Sequence, residues 1–430
     1  MPCFLVLLGL LLCLGAEPAL GLAGVVVDAV THAPLAGASV TTAQGVVKSD
    51  GAGRFQLALP AASLSVRAAG YRRRQLAVAT GTTAALTVAL QPFRPKALYL
   101  SFYGIGSTKL RGAALRLIER TELNALVIDV KGDRGLIVFP SPIPERAGLG
   151  PQKVVPVRDM AALVRQLQQR GVYLIARIVV FKDQPFASAH PALAVHDAAG
   201  RVWHDREGLA WSDPFAPEVW RYNLDIAEAA ARLGFDEIQF DYLRFPDAAG
   251  LVFSRPNTRD NRVGAIQGFL TAARQRLAPY NVFVAADVFG YVCWNENDTF
   301  VGQQIERLGA VVDYISPMLY PSGFTWGIPG CRNPAAEPGE IVEHSLRRAI
   351  QRTALPGVRF RPWLQAFRDY AFDRRPFGAK EIRAQIDAAE AVGSGGWMLW
   401  NPRNQYSEAG LKLRAGASPP AAPRPEGGRP

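Results

Sequence analysis

Acidic side chains fall near the ends of several β-rich segments of this 430-residue chain. Asp241 lies near the end of segment 236–243, and Asp287 lies near the end of segment 282–289. If these segments are neighbouring parallel strands of a barrel, both carboxyl groups meet at one end of it. Hydrolysis of a glycosidic bond needs such a pair, with one group ionised and the other protonated. Since like charges in a partly dry cleft raise one pKa, the pair could separate these roles. The sequence therefore predicts Asp241 and Asp287 as catalytic.

Segment 235–246 shows how such a residue is positioned. Read with a period of two, it places Glu237, Gln239 and Asp241 on one face and apolar side chains on the other. A strand of an open parallel sheet is apolar on both faces, whereas a barrel strand packs one face on helices and can end the other in a polar site. The alternative for Asp241 is structural, as a turn cap or a partner of Arg244.

The same alternation brings other polar groups to the same end. Segment 125–131 offers Asp129 and Lys131, and segment 172–181 offers Arg177. Buried polar groups are costly unless they bind one another or a ligand, so an Asp129–Arg177 ion pair is the structural alternative. We expect four polar side chains to position a ligand: Asp129, Arg177, Gln239 and Gln365.

Aromatic side chains accompany these groups and could stack on a sugar ring. Most large aromatic residues belong to a core, so those in loops, such as Trp211, Trp294 and Trp326, are the better candidates for a platform. From the aromatic set we assign substrate contacts to Trp294, Tyr320 and Trp400.

From residue 96 onward, β-rich segments alternate with amphipathic helical ones, which is typical of βα units. The predicted strands are 97–103, 125–131, 172–181, 236–243, 282–289, 313–320, 360–367 and 395–401. The predicted helices are 110–123, 157–170, 217–233, 263–277, 300–308, 341–353 and 380–392, with a last short one after Ser407. This pattern predicts a (β/α)8 TIM barrel over 96–414. A doubly wound sheet is the alternative, but no Gly-rich phosphate fingerprint follows the first strand.

Residues 22–92 have a different character. Short β-rich runs separated by turn residues, with no helical period, predict a small all-β sandwich, and 93–95 form a linker. The motifs at 27–40, 49–55 and 68–72 resemble those of the carboxypeptidase regulatory-like domain. That resemblance implies a transthyretin-like, seven-stranded accessory module of exported proteins, without catalytic residues.

Composition limits the classes of partner. The chain is 49% hydrophobic, which allows a large core. The net charge of +11 invites a nucleic-acid partner, but no basic run exceeds residues 72–74 and no nucleic-acid-binding motif is recognisable. We therefore expect no nucleic acid, and a positive surface suits anionic envelope polymers.

The two ends of the chain have distinctive compositions. Residues 1–21 combine an apolar run with small residues, as in a secretory signal peptide, although an uncleaved anchor is the alternative. No later stretch is predicted to span a membrane, so the expected location is secreted or periplasmic. Residues 415–430 are rich in Pro, Ala and Gly and should be disordered.

The cysteines and histidines of the sequence predict neither a metal site nor a cofactor. Cys293 and Cys331 remain after signal removal and could form a disulfide in an exported protein, while two buried thiols are the alternative. The five histidines lack metal-ligand spacing.

A further resemblance covers nearly all of 96–405. Several motifs together resemble the glycoside hydrolase-like family DUF4015: LVIDVKGD (126–133), IARIVVFKD (175–183), SDP (212–214), DEIQFDYLRFP (236–246), ADVFG (286–290), SPMLYPS (316–322) and WLQAF (363–367). The resemblance implies a barrel related to retaining, α-amylase-like glycosidases, with Asp241 as nucleophile or its equivalent. The acid of the fifth strand is a Glu in those enzymes. This chain has Asp287 there, with Glu296 farther along the loop as an alternative acid.

These observations predict an exported two-domain protein whose barrel hydrolyses an envelope or extracellular polysaccharide. Two alternatives stay open. One is a carbohydrate-binding barrel without turnover, and the other is an envelope scaffold whose sandwich recruits partners. The oligomeric state is not predicted.

Overall fold

A computed structural model describes residues 21–57, 62–79 and 85–416. The predicted signal peptide lies outside these residues except for Gly21, and so does the predicted disordered tail from residue 417 onward. Within the described ranges, no helix is both long enough and apolar enough to cross a membrane.

Seven short strands lie in the described part of the N-terminal region and form the predicted all-β sandwich. They are β1 (Leu22–Asp28), β2 (Ser39–Thr42), β3 (Gly45–Lys48), β4 (Arg54–Leu57), β5 (Ser63–Arg67), β6 (Arg74–Ala77) and β7 (Leu86–Leu90). One sheet has the order β4–β1–β7, and the other has the order β3–β2–β5–β6. Val26, Val40, Val66 and Val88 are fully buried between the sheets, because alternate residues of each strand point inward.

Eight parallel strands close into a barrel after the sandwich. They are β8 (Lys96–Leu100), β9 (Ala125–Lys131), β10 (Tyr173–Val179), β11 (Glu237–Asp241), β12 (Phe283–Phe289), β13 (Tyr314–Met318), β14 (Trp363–Gln365) and β15 (Trp397–Trp400). Each strand pairs with the next along the chain, and β15 pairs with β8. The predicted (β/α)8 barrel is therefore confirmed, and the doubly wound sheet is excluded.

Helices connect the barrel strands and cover the outside of the barrel. In the described chain they are α1 (Phe102–Gly106), α2 (Thr108–Arg120), α3 (Ile143–Arg146), α4 (Met160–Gln169), α5 (Gln184–Ala189), α6 (Pro217–Leu233), α7 (Arg259–Leu277), α8 (Ile305–Gly309), α9 (Pro338–Thr353) and α10 (Ala379–Ala391). The short helix predicted after Ser407 is wrong. The chain there forms turns and pairs Leu413 with Thr121, at the end of α2.

The side-chain alternation fails at one position of β9. The register shifts between Arg177 and Ile178, so that Ile178 pairs with Lys131 and Val130 becomes an extra residue. This β-bulge turns Lys131 outward, where it donates to Asn223 Oδ1 of α6 at 2.8 Å and pairs with Asp183. The predicted inward position of Lys131 is therefore wrong.

The sandwich covers the amino-terminal end of the barrel. The backbone N–H of Gly70 donates to Tyr314 Oη at 2.9 Å, and Arg67 donates to Asn281 Oδ1 at 3.1 Å. Tyr314 is the first residue of β13, and Asn281 lies just before β12. The opposite end, where the strands finish, forms the mouth of the barrel.

Candidate active site

Four charged side chains meet at the carboxyl ends of four consecutive strands. Asp129 lies on β9, Arg177 on β10, Asp241 at the end of β11 and Asp287 on β12. Each lies two positions after an inward-facing residue, so strand periodicity directs all four into the barrel. None of the four is more than 4% exposed. Groups buried this deeply must compensate one another's charge.

Arg177 is the cation that binds three of the carboxylates. Its Nη1 donates to Asp129 Oδ1 at 2.6 Å, and its Nη2 donates to Asp133 Oδ1 at 3.2 Å. Nε and Nη2 both donate to Asp241 Oδ2, at 2.9 and 2.5 Å. With Asp287 included, one guanidinium faces four acids, which would leave an excess of negative charge. This imbalance favours protonation of at least one buried acid.

Both carboxylate oxygens of Asp241 accept hydrogen bonds. Arg177 binds Oδ2, and Oδ1 accepts a hydrogen bond from the backbone N–H of Tyr242 at 2.5 Å. Tyr242 has a φ of 47°, a left-handed backbone conformation that a bulky side chain rarely adopts. Backbone strain of this kind clusters at functional sites, where the surrounding structure enforces it.

Asp287 lies in a contrasting environment. Its Oδ1 accepts from Trp363 Nε1 at 2.8 Å, while its Oδ2 is buried and has no hydrogen-bond partner among the described residues. Burial and the negative charge of Asp241 raise the pKa of Asp287 well above its usual range, although Arg177 opposes them. Asp241 and Asp287 thus differ in the way that a base and an acid of one carboxylate pair differ.

Asp129 is a second acid with a raised pKa. Burial raises the pKa of Asp129 to about 6, and the charge of Arg177 opposes this shift. Its Oδ2 accepts from Tyr99 Oη at 2.6 Å and from the backbone N–H of Phe102 at 3.3 Å. Because both of its oxygens are occupied by protein donors, Asp129 orients Arg177 and Tyr99 around the mouth.

A cavity of about 190 Å³ opens beside Asp129. Tyr99, Asp133 and Trp400 also line it, together with Tyr103, which is 58% exposed. Acidic groups and rings that converge on one concave surface are typical of a sugar site. Larger clefts lie among the outer helices, away from the carboxylates.

Trp400 and Tyr320 both lie close to Arg177 and the acids around it. Trp400 stacks on Tyr99 with ring centroids 3.9 Å apart, and the guanidinium of Arg177 lies 5.1 Å from the Trp400 ring centre. Burial and the nearby charges of Asp241 and Asp287 raise the pKa of Tyr320 well above its usual range. The structure therefore brings both predicted rings to the carboxylates.

The two predicted glutamines have different surroundings. Gln239 Nε2 donates to Ser316 Oγ at 3.1 Å inside the barrel, and its Oε1 is buried with no partner in the described chain. Gln365 accepts from the Ser322 backbone N–H at 3.0 Å and donates to Ser322 Oγ at 2.7 Å and to the Phe367 carbonyl at 3.1 Å. The side-chain amide of Gln365, which we predicted to position a sugar, therefore binds the loop after β13.

Trp294 and Glu296 lie on the outside of the barrel. Trp294 Nε1 donates to Ser345 Oγ of α9 at 2.9 Å. The side chain of Glu296 is 83% exposed and lies 3.3 Å from Arg348 of the same helix. After β12 a short 3-10 helix leads the chain toward α9, so neither residue reaches the mouth. The predictions of Trp294 as a sugar platform and of Glu296 as an alternative acid are wrong.

Cys293 and Cys331 are both buried and both free. Cys293 lies in the apolar layer between barrel and helices, where burial raises the pKa of its thiol to about 12. The predicted disulfide is therefore wrong, and the alternative of two buried thiols is what the structure shows.

Two residues that support the site were missed. Gln303 donates through Nε2 to the carbonyls of Leu243 and Asp287, both at 3.2 Å, and accepts at Oε1 from the Phe289 backbone N–H at 3.1 Å. It joins the ends of β11 and β12, but it lies in a loop whose sequence gives no periodic signal. Tyr99 could have been found, because alternation along the first barrel strand places it on the inner face.

The described residues contain no group of three or more His, Cys, Asp or Glu side chains placed to hold a metal ion. The four acids instead surround Arg177.

Family models match both parts of the chain. Residues 97–406 match the family described as "Putative glycosyl hydrolase domain", and residues 21–91 match the carboxypeptidase regulatory-like domain. The chain belongs to this glycosyl hydrolase family. Both resemblances drawn from the sequence motifs are confirmed, and the barrel is a glycoside hydrolase-like domain. The enzyme class is that of a glycosidase.

Solved structures extend the comparison. A hypothetical protein from Ruminiclostridium thermocellum ATCC 27405 is 35% identical over 44% of this chain and 97% of its own, at a TM-score of 0.40. The glycoside hydrolase domain of PgaB (BpsB) from Bordetella bronchiseptica is 16% identical over 73% of this chain and 95% of its own, at a TM-score of 0.51, and has the same fold. The glycoside hydrolase domain of PelA from Pseudomonas aeruginosa is 12% identical over 73% and 97%, at a TM-score of 0.43. No curated protein matches the chain.

Proposed function

We propose that the barrel cleaves an envelope or extracellular polysaccharide and that Asp241 and Asp287 carry out the reaction. The observation that supports this most strongly is the contrast between the two carboxyl groups. Asp241 accepts hydrogen bonds on both oxygens, whereas Asp287 has a raised pKa and one buried oxygen without a partner. Glycoside hydrolysis needs one ionised and one protonated carboxyl group.

In this mechanism Asp241 acts as nucleophile or base and Asp287 as acid. Asp287 gives its proton to the glycosidic oxygen, and the bond from this oxygen to the anomeric carbon breaks. Asp241, or a water molecule that Asp241 deprotonates, forms the new bond to that carbon. Arg177 orients Asp241 through two hydrogen bonds to its Oδ2. The cavity beside Trp400 accepts a sugar ring, and the stack of Trp400 on Tyr99 provides a rigid apolar face.

The layout of the chain supports a polymeric, extracytoplasmic substrate. We propose an exported chain with a sandwich over 22–92, a linker at 93–95 and the catalytic barrel over 96–414. Export rests on the apolar N-terminal residues, which lie outside the described part of the structure. The net charge of +11 suits an anionic envelope polymer.

Hydrolysis of a polysaccharide panel by the wild type and by two variants tests the pair. Asp241→Asn should lower kcat by at least a hundredfold on every substrate. Asp287→Asn should lose hydrolysis of natural linkages but keep much of it on aryl glycosides with activated leaving groups, because these need no protonation. Asp247→Asn is the matched control, because Asp247 is an exposed acid in the loop that follows Asp241.

Other outcomes contradict the proposal. If the wild type binds polysaccharides but cleaves none of them, the barrel is a binding module. If Asp287→Asn loses natural and activated substrates equally, Asp287 is not the acid. Should deletion of 22–92 abolish a cellular phenotype that Asp241→Asn leaves intact, a scaffold role would replace the enzymatic one.

A further inference from the structure

Arg244 is a cation at the mouth that the proposed reaction does not use. It follows Asp241 by three residues, and its guanidinium faces rings that come from three separate segments. The guanidinium lies 4.8 Å from the centre of the Trp211 ring, 5.2 Å from that of Tyr242 and 4.5 Å from that of Phe289. Stacking on rings fixes the position of a guanidinium but uses none of its N–H groups.

Most of the hydrogen-bonding capacity of Arg244 is unused. Its Nη1 donates to the Phe245 carbonyl at 3.1 Å, and the Nε and Nη2 edge forms no hydrogen bond or salt bridge in the described chain. Burial lowers the pKa of Arg244. The buried arginines Arg177 and Arg361, in contrast, are both paired with carboxylates. A cation that is partly desolvated and unpaired costs free energy, which a bound anion would recover.

Asp205 and Glu207 are both paired with Lys182. Asp205 accepts from Trp211 Nε1 at 3.0 Å and lies 3.3 Å from Lys182 Nζ. Glu207 lies 3.0 Å from the same ammonium group. Lys182 is thus paired with two acids. Asp241, Asp247 and Asp205 act on Arg244 through their charges, but none of them forms a hydrogen bond or salt bridge with it in the described chain.

We propose that Arg244 binds a carboxylate of the substrate, so that the glycan is an acidic one with uronic acid or similar carboxylate-bearing units. This inference rests on the proposed glycosidase function and specifies its substrate class. The Nε and Nη2 edge, which has no partner in the described chain, has two parallel donors, the geometry that a carboxylate accepts in a bidentate contact. Tyr242, whose backbone is left-handed, lies between Asp241 and Arg244 in the chain.

Calorimetric titration of glycan oligomers onto the protein tests the inference. The Asp241→Asn background keeps the oligomers intact. The ligands are oligomers of polygalacturonate, polymannuronate and hyaluronate, each beside its carboxyl-reduced neutral form. We expect at least one acidic oligomer to bind about tenfold or more tightly than its reduced form, the effect of a charge-assisted bidentate contact.

Second substitutions in the same background locate the effect. Arg244→Gln should abolish most of the acid preference, and Arg244→Lys should keep part of it, since lysine offers the charge without the fork. Arg221→Gln removes the same charge from an exposed position on α6 and should keep the preference. Circular dichroism and thermal unfolding confirm that each variant is folded.

The outcomes separate this inference from the proposed function. If none of the three acidic oligomers binds more tightly than its reduced form, or if Arg244→Gln keeps the preference, the inference is overturned. Release of reducing ends by the wild type is measured independently. Acid preference without hydrolysis would refute the glycosidase mechanism alone, and hydrolysis of neutral glycans without acid preference would refute the acidic substrate alone.

Discussion

Trp363 Nε1 donates a hydrogen bond to Asp287 Oδ1 at 2.8 Å, from a strand two positions away in the barrel. This bond stabilises the charged form of Asp287 and so lowers its pKa, against the larger effects of burial and of Asp241, which raise it. The indole therefore limits how high that pKa rises.

Replacing Trp363 by Phe should raise the pKa of Asp287 further, because the carboxylate loses a donor. In the proposed mechanism the acid must be protonated, so hydrolysis falls as the pH rises through that pKa. We expect the alkaline limb of the kcat/KM profile to move to higher pH in Trp363→Phe. Trp397→Phe removes a buried indole that donates to Glu390 instead, and its profile should stay in place. An unchanged limb in Trp363→Phe would show that Asp287 does not control it.

Asp129 should make stability depend on pH in a defined direction. Burial raises its pKa to about 6 in the folded protein, whereas an unfolded chain has about 3.9. The folded state thus binds this proton more tightly. The stabilisation is present below about pH 4 and is lost as the pH rises through about 6.

We expect the free energy of unfolding of the wild type to fall, relative to that of Asp129→Asn, between about pH 4 and pH 7. Urea denaturation at both pH values measures it. Asp133→Asn removes another carboxylate from Arg177, at a side chain that is 39% exposed, and controls for the loss of an ion pair to Arg177. A constant difference between wild type and Asp129→Asn would refute the raised pKa.

Gln303→Leu should lower both stability and activity. The substitution leaves the carbonyls of Leu243 and Asp287 and the N–H of Phe289 without their partner, at about 1–3 kcal/mol for each buried group that finds no other. The ends of β11 and β12 then lose their connection, so kcat should drop about tenfold or more. Gln351→Leu on the exposed side of α9 is the control. Wild-type kcat in Gln303→Leu would show that the connection is not needed.

Tyr314→Phe tests the contact between sandwich and barrel. The change removes the acceptor of the Gly70 N–H and should cost about 1–3 kcal/mol of unfolding free energy. Hydrogen exchange at the Gly70 amide should accelerate. Tyr370 is 51% exposed, and Tyr370→Phe should change neither the free energy of unfolding nor the exchange rate of the Gly70 amide. Persistent protection of Gly70 in Tyr314→Phe would contradict the contact.

The two buried cysteines should be unreactive in the folded protein. Burial raises the pKa of Cys293 to about 12 and also raises that of Cys331, so neither thiolate is available at neutral pH. Alkylation followed by peptide mass analysis should label both residues only after denaturation, without prior reduction. A peptide linked through Cys293 and Cys331 would contradict the structure.

Strand periodicity predicted the part of the site that depends on regular structure. Asp129, Arg177, Asp241 and Asp287 are each fixed by alternation along a parallel strand, and the closed barrel brings the strand ends together. The inward direction of these four side chains follows from the alternation along each strand, so it can be predicted from the sequence. The prediction that they act in catalysis awaits the tests above.

The positions of residues in loops and at a β-bulge could not be predicted from the sequence. The position of Glu296 depends on the direction of a loop after β12, and that of Lys131 depends on a one-residue bulge. Gln303 joins two strand ends from a loop with no periodic signal, and the separation of the two cysteines depends on packing among elements far apart in the chain. Each of these is decided by tertiary contacts that no local pattern encodes.

The β-sandwich closes the barrel at the end where its strands begin, with Gly70 and Arg67 against Tyr314 and Asn281. If the protein is attached to a surface through the side of the sandwich that faces away from the barrel, the mouth of the barrel therefore points away from that surface. A copy of the protein immobilised through its sandwich would keep the carboxyl ends of the barrel strands accessible.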